Sequence, residues 1–188
     1  MKYFPVFLDL EGKTVAFVGG GSAIAQKLRL IGKTSANLRV FAPTLDRETA
    51  FEVNALGAEH IAREVNAADV HGVALAYIAL GDPEANLKAK ALFEPAGILV
   101  NVIDQTEACD FITPAIVDRA PLTVAISSDA RAPALSRHAK AIIDRVLPAT
   151  VGTLGLLADD LRSDVKRLLP DGNQRRRFWD RIFGGSDL

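Results

Sequence analysis

Thr14-Val15-Ala16-Phe17-Val18-Gly19-Gly20-Gly21-Ser22-Ala23-Ile24 carries the reading of the fold. Five residues dominated by apolar side chains run without alternation into three glycines. The pattern then turns helical, with Ile24, Leu28 and Ile31 on one face of a segment that closes near Gly32. An unbroken apolar run of this length reads as a strand buried on both faces, because successive side chains point to opposite sides and neither side meets water. The glycines permit a tight turn. They also let backbone N–H groups approach an anion at the positive end of the helix.

The same alternation continues outward. Leu38-Arg39-Val40-Phe41-Ala42 reads as a second strand stopped by Pro43, followed by a helix from about Asp46 to Leu56 with Gly57 as its C-terminal cap. His60 and Ile61 open a short third strand. The runs Val73–Ala79 and Ile98–Ile103 are further buried strands, separated by a helix with Asp82 at the N-cap and Pro83 in the first helical position. Strands alternating with helices predict an α/β fold: a Rossmann-like parallel sheet built through right-handed crossovers.

Beyond Asp110 the texture changes. Phe111–Val117 and Leu122–Ile126 read as two strands joined by a tight connection, and Ser127-Ser128-Asp129 as a helix N-cap or the start of a binding loop. Pro133 opens an amphipathic helix to about Val146. A second helix carries Leu154, Leu157, Leu161, Val165 and Leu168 at helical spacing, and a last one carries Arg175, Arg176, Arg177, Phe178 and Trp179. The expected division is a dinucleotide-binding domain over 1–113, a small dimerisation segment over 114–147 and a C-terminal helical domain over 148–188. Apolar stripes on so small an appendage predict packing against the first domain or a second chain, with a homodimer the favoured reading.

The chain has 188 residues, 49% hydrophobic and 24% charged, with a formal net charge of −1. That balance belongs to a protein that buries a core, and it supplies no overall basic field to recruit nucleic acid. The single cysteine, Cys109, excludes an internal disulfide and a cysteine-built metal cluster, and His60, His71 and His138 lack ligand spacing, so no metal site is expected. Pro5, Asp9, Glu11, Gly12 and Lys13 interrupt the start before a signal core forms, and no run reaches about 18 apolar residues. The expectation is a cytoplasmic protein with no membrane partner.

Gly19-x-Gly21 between strand and helix points to a dinucleotide turn, with a purely structural turn as the alternative. Ile24 occupies the third small position of that fingerprint. The carboxylate that usually meets the ribose is missing at the end of the second strand, so backbone around Pro43 and Thr44 is expected to hold the adenosine end. Residue types do not separate NAD from NADP. Asp104 ends a buried parallel strand, where ligands of open α/β sheets collect; it reads as a turn or capping acid, or as a general base. Arg131, Arg137 and Lys140 surround the serine loop, placed either to meet an anionic substrate or on a solvated helix face. Arg175–Arg177 read as surface charges.

Several longer stretches then add up. They are Tyr3-Phe4-Pro5-Val6-Phe7-Leu8, Val18-Gly19-Gly20-Gly21, Asn101-Val102-Ile103-Asp104, Phe111-Ile112-Thr113-Pro114-Ala115-Ile116-Val117-Asp118-Arg119-Ala120-Pro121-Leu122, Val124-Ala125-Ile126-Ser127-Ser128 and Arg175-Arg176-Arg177-Phe178-Trp179. Nearly end to end, the chain resembles the precorrin-2 dehydrogenase family, the amino-terminal dehydrogenase and ferrochelatase module of siroheme synthases. The resemblance implies NAD-dependent oxidation of precorrin-2 to sirohydrochlorin, with ferrous iron as a further substrate in members that also insert it. It implies an interwoven homodimer and a tetrapyrrole partner.

Carried over by position, Asp104 is the catalytic acid/base. Gly19, Gly21, Ser22 and Ala23 line the pyrophosphate turn, Pro43 and Thr44 the ribose region, and Ser128 the loop beside the tetrapyrrole. The many substrate carboxylates make Arg131 and Arg137 sensible partners. Three places depart from the family pattern: Ile24; Ala79-Leu80-Gly81-Asp82, where an alanine–threonine pair followed by acids is usual; and Asp129-Ala130, where two glycines are common. The reading from another class is a dinucleotide-sensing regulatory module without turnover.

Overall fold

The computed structural model describes residues 2–184, so Met1 and 185–188, which the expected domain ranges include, lie outside the described residues. The apolar run at the start becomes β1 (Thr14–Val18), and the glycines hand the chain to α1 (Ser22–Ile31). There follow β2 (Asn37–Phe41), α2 (Arg47–Leu56), β3 (Glu59–Ile61), β4 (Val73–Ile78), α3 (Pro83–Phe93) and β5 (Leu99–Val102). Every pairing among these strands is parallel and the order is β3-β2-β1-β4-β5. The Rossmann-like sheet expected from the sequence is present.

β1, β2 and β4 each serve two cores because their side chains alternate. Ala16, Val18, Phe41, Ala76, Ile78, Val100 and Val102 pack with Ala89 and Phe93 of α3 on one face. Val15, Phe17, Leu38, Val40, Leu75 and Tyr77 pack with Ile24, Leu28 and Ile31 of α1 and Val53 of α2 on the other. Burying one large side chain such as Phe17 stabilises by roughly 1.5–3 kcal/mol. The helix ends follow local chemistry. Asp46 accepts the Thr49 N–H at 2.7 Å and Gly57 closes α2 at φ 64°, while Asp82 caps α3 with Pro83 behind it.

The chain divides into two compact units, Met1–Thr113 and Pro114–Leu188. In the second, β6 (Ala115–Arg119) and β7 (Leu122–Ile126) form an antiparallel hairpin, followed by α4 (Pro133–Val146), α5 (Thr150–Leu168) and α6 (Gly172–Gly184). The hairpin's first strand begins at Ala115, later than Phe111. The Phe111 carbonyl accepts the Asn101 amide at 2.9 Å and Thr113 Oγ1 bonds to the Tyr77 hydroxyl at 3.4 Å, so these residues are engaged with the parallel sheet. Pro114 adds no N–H to a ladder. Arg119 ties the hairpin to the end of α4 by donating to the Leu147 carbonyl at 2.7 Å and to Asp144 Oδ1 at 3.2 Å.

The N-cap reading of Ser127-Ser128-Asp129 is corrected. α4 is preceded by Ala132, which offers no side-chain cap. The Ser128 hydroxyl instead accepts the Ala132 N–H at 3.3 Å and the Ser136 hydroxyl at 2.9 Å, bracing the loop from below. Asp129 (φ 53°) and Ala130 (φ 59°) both take the left-handed backbone, which accounts for glycine suiting those positions. Among the described residues no single helix is long and apolar enough to cross a membrane.

Candidate functional site

The turn after β1 is shaped by two close approaches. Gly19 has φ 128°, and a Cβ there would lie 2.1 Å from the Ala79 carbonyl oxygen. A Cβ on Gly20 would lie 2.0 Å from the Thr44 carbonyl oxygen, and the Gly20 carbonyl itself accepts the Asp46 N–H at 2.8 Å. Gly21 differs from both: a Cβ there would meet nothing within 4 Å. It is the N-cap of α1, with no side-chain cap and no acidic residue in the helix's first turn. The open space therefore lies at the positive end of a ten-residue helix, where the Ser22 N–H also acts on the Asp46 carboxylate. Phosphate oxygens fit there. Ile24 enters the core completely buried, and a Cβ on Gly19 would lie 3.3 Å from its Cγ1, so the bulk at the third fingerprint position is accommodated by packing inward.

A cavity of about 580 Å³ opens over this turn. It runs along the carboxyl ends of β2, β1, β4 and β5, where the chain, having gone to one side of β1, returns on the other. Open α/β sheets bind ligands at such a switch point. Its volume is that of an ordinary small-molecule site. Gly19, Gly21, Ser22, Ala23, Pro43, Thr44 and Asp104 all line it. Ser128, Arg131 and Arg137 belong to the second unit: Ser128 is half-buried under the start of α4, and both arginines are exposed.

Asp104 lies two residues beyond the end of β5 and is itself left-handed, at φ 66°. The Ile103 N–H donates to the Ile78 carbonyl at 2.9 Å and the Gln105 N–H to the Val102 carbonyl at 3.2 Å, so the carboxylate projects from a pinned bend. Its charge acts on a cation of α1. Lys27 lies 5.8 Å from the Tyr77 ring centroid, and burial pulls its pKa below the ordinary 10.5 while Asp104, and to a lesser degree Cys109, pull it upward. Tyr77 stacks on Phe17 and meets Phe111 edge-on; burial raises its hydroxyl pKa, opposed by the bond from Thr113. Cys109 is half-buried, donates to the Val102 carbonyl at 3.1 Å and has its pKa pushed up by burial, the setting of an unreactive thiol.

Gly20, Asn86 and Gln105 line the cavity without having been assigned a role from the sequence. One of them left a trace. Asn86 shares the buried stripe of α3 with Ala89 and Phe93 at spacings of three and seven, and a polar residue on a buried stripe calls for partners. Gly20 stood within the glycine run, but its approach to Thr44 and the role of Gln105 gave no local signal.

A parallel switch-point sheet whose glycine turn opens a phosphate-sized space at a helix N-terminus defines a dinucleotide-binding Rossmann domain. The sequence matches the family model described as "Putative NAD(P)-binding" over residues 6–115, and a second model, "Sirohaem synthase dimerisation region", over residues 150–186. The chain belongs to this NAD(P)-binding family. The dimerisation match falls within the stretch read from sequence as the helical domain, beyond 114–147. Siroheme synthases of Azotobacter vinelandii and Pseudomonas putida are 43% and 42% identical to it over 185 residues, covering 98% of this chain and 40% of theirs. The chain thus spans about 40% of the length of these curated relatives. A solved precorrin-2 dehydrogenase, SirC, superposes with a TM-score of 0.72 at 24% identity, covering 96% of this chain and 89% of that one, and shares the fold. The resemblance read from the sequence is borne out by these relatives.

Proposed function

We propose that this chain oxidises precorrin-2 to sirohydrochlorin with NAD⁺, with Asp104 as the general base, and that ferrous iron is a further substrate. The observation that carries the reading is that Asp104 and the glycine turn line one cavity. Bound there, the nicotinamide dinucleotide supplies the hydride acceptor. Gly19, Gly21 and the first-turn backbone of Ser22 and Ala23 hold its pyrophosphate, and Pro43 and Thr44 its adenosine ribose. Loss of a hydride from the macrocycle is accompanied by loss of a proton, which a single carboxylate at the cavity wall can accept. Insertion of iron displaces pyrrole N–H protons, for which the same carboxylate serves. The names of the relatives, siroheme synthase and precorrin-2 dehydrogenase, support the substrate class.

Ser128, Arg131 and Arg137 are assigned to the substrate's carboxylates, on charge and on their place in and beside the serine loop. A homodimer formed through the second unit completes the reading, with 114–147 as its dimerisation segment and 148–188 as a helical cap. Leu135, Val146, Leu156 and Leu168 leave more than half their surface exposed there, at 62%, 59%, 58% and 71%. Such apolar surface is characteristic of an interaction face.

The test is turnover. The purified chain with precorrin-2 generated in situ and NAD⁺ forms NADH and the oxidised macrocycle together; Asp104→Asn binds NAD⁺ but loses on the order of a hundredfold or more of that rate. Ferrous iron added afterwards reads chelation separately. Tight NAD⁺ binding with no tetrapyrrole-dependent NADH overturns the enzyme reading in favour of a dinucleotide sensor.

A further inference from the structure

Asn86 is 5% exposed, and its two amide ends face different partners. Its Oδ1 accepts the Leu80 backbone N–H at 2.8 Å, and its Nδ2 donates to Gln105 Oε1 at 2.8 Å. A backbone N–H can only donate, so the Asn86 oxygen must face Leu80 and its NH₂ must face Gln105. The constraint passes on. With Oε1 of Gln105 turned to Asn86, the Nε2 donors occupy the other branch of the same planar amide. Gln105 is half-buried, lines the cavity and follows Asp104 directly.

Its place along the cavity indicates what those donors meet. Pro43 and Thr44 lie at the β2 end, the glycine turn at the middle over β1, and Leu80, Asn86 and Gln105 at the β4–β5 end. With adenosine at the first and pyrophosphate at the second, the far end of a dinucleotide reaches Gln105. We propose that Gln105, oriented by Asn86, donates from Nε2 to the carboxamide oxygen of the nicotinamide ring and so fixes the ring beside Asp104. The proposal rests on the dinucleotide reading given above. A neutral amide donor suits a neutral acceptor, and an acidic substituent would stand beside the Asp104 carboxylate, whose charge Lys27 of α1 offsets only in part.

Isothermal titration of the full chain with NAD⁺, ADP-ribose and nicotinic acid adenine dinucleotide tests this. The parent binds NAD⁺ more tightly than the acid analogue. Gln105→Met weakens NAD⁺ up to about tenfold, the worth of one hydrogen bond, and leaves ADP-ribose within about twofold. Gln105→Asn, too short to reach both partners, does the same and guards against misfolding of the first variant. Asn86→Asp, which cannot donate to Oε1, lowers the preference for carboxamide over acid while ADP-ribose binding persists. An unchanged ratio of NAD⁺ to ADP-ribose affinity in both Gln105 variants, with unfolding midpoints near the parent's, overturns the proposal and leaves the dinucleotide site standing. Failure of the parent chain to bind either NAD⁺ or ADP-ribose overturns the dinucleotide reading itself.

Discussion

The Asp46 N–H donates to the Gly20 carbonyl at 2.8 Å, so the loop leaving β2 is fastened to the turn leaving β1. The Asp46 carboxylate caps α2 through the Thr49 N–H, which is the main reason its pKa falls below the ordinary 3.8, and the Ser22 N–H at the start of α1 adds a smaller pull in the same direction. One residue thereby joins the two walls that are assigned to adenosine and pyrophosphate. The middle glycine is the hinge of that junction.

Gly20 and Gly21 should respond oppositely to the same substitution. In Gly20→Ala the new methyl meets Thr44 backbone at 2.0 Å, which only a shift of the loop relieves; a loss of about 2–3 kcal/mol in denaturant unfolding is expected. In Gly21→Ala the methyl enters empty space at φ −98°, so stability stays within about 0.5 kcal/mol. Dinucleotide affinity in that variant should fall by about tenfold or more, because the methyl enters the space assigned to the pyrophosphate. Equal stability losses in the two variants would contradict the geometry.

Ala130 is an L-residue held at φ 59°. Ala130→Gly removes the clash of its Cβ and should stabilise the chain by about 0.5–1 kcal/mol, after allowing for the greater freedom glycine gives the unfolded state. A thermal midpoint that drops on this change would show that the loop does not need the left-handed backbone.

Lys27 has a folded-state pKa below its ordinary 10.5, chiefly through burial. Between those two values the unfolded chain binds more protons than the folded one, so stability rises with pH in that window. Below the folded value both states are protonated and the folded state carries the desolvation cost. Lys27→Met should therefore be at least as stable as the parent at neutral pH, with its advantage shrinking as pH approaches 10.5. Unfolding midpoints across that range measure it; an advantage that grows with pH refutes it.

Asp144 has the opposite sign. The hydrogen bond from Lys140 is the largest cause holding its pKa below 3.8, with Arg119 contributing less. The stability it supplies is present above 3.8 and is lost as pH falls through the lower folded value. In an NMR titration Lys140→Met should move the Asp144 carboxyl further toward 3.8 than Arg119→Met does. For overall stability the order reverses. Arg119→Met frees the Leu147 carbonyl as well and should cost about 1–3 kcal/mol.

Much of the fold was legible because its signals are local. The unbroken runs of β1, β4 and β5 announce burial on two faces, and Asp82-Pro83 and Gly57 mark helix ends by capping chemistry that acts within a few residues. The late start of β6 was not legible, since the bonds that hold Phe111 and Thr113 come from Asn101 and Tyr77, ten and thirty-six positions away. Ser128 misled for a related reason: its capping-type residue is used, four residues early, as a brace to Ala132 and Ser136.

By itself the chain of residues determined the sheet, its helices, the glycine turn and the position of Asp104 at a strand's carboxyl end, because periodicity and end chemistry depend on neighbours a few residues apart. Tertiary structure alone decided that Gly20 must be bare against Thr44 and that Asn86 turns the amide of Gln105. Crossover connections bring those pairs together across twenty-four and nineteen positions, and no local pattern encodes which side chains then face each other.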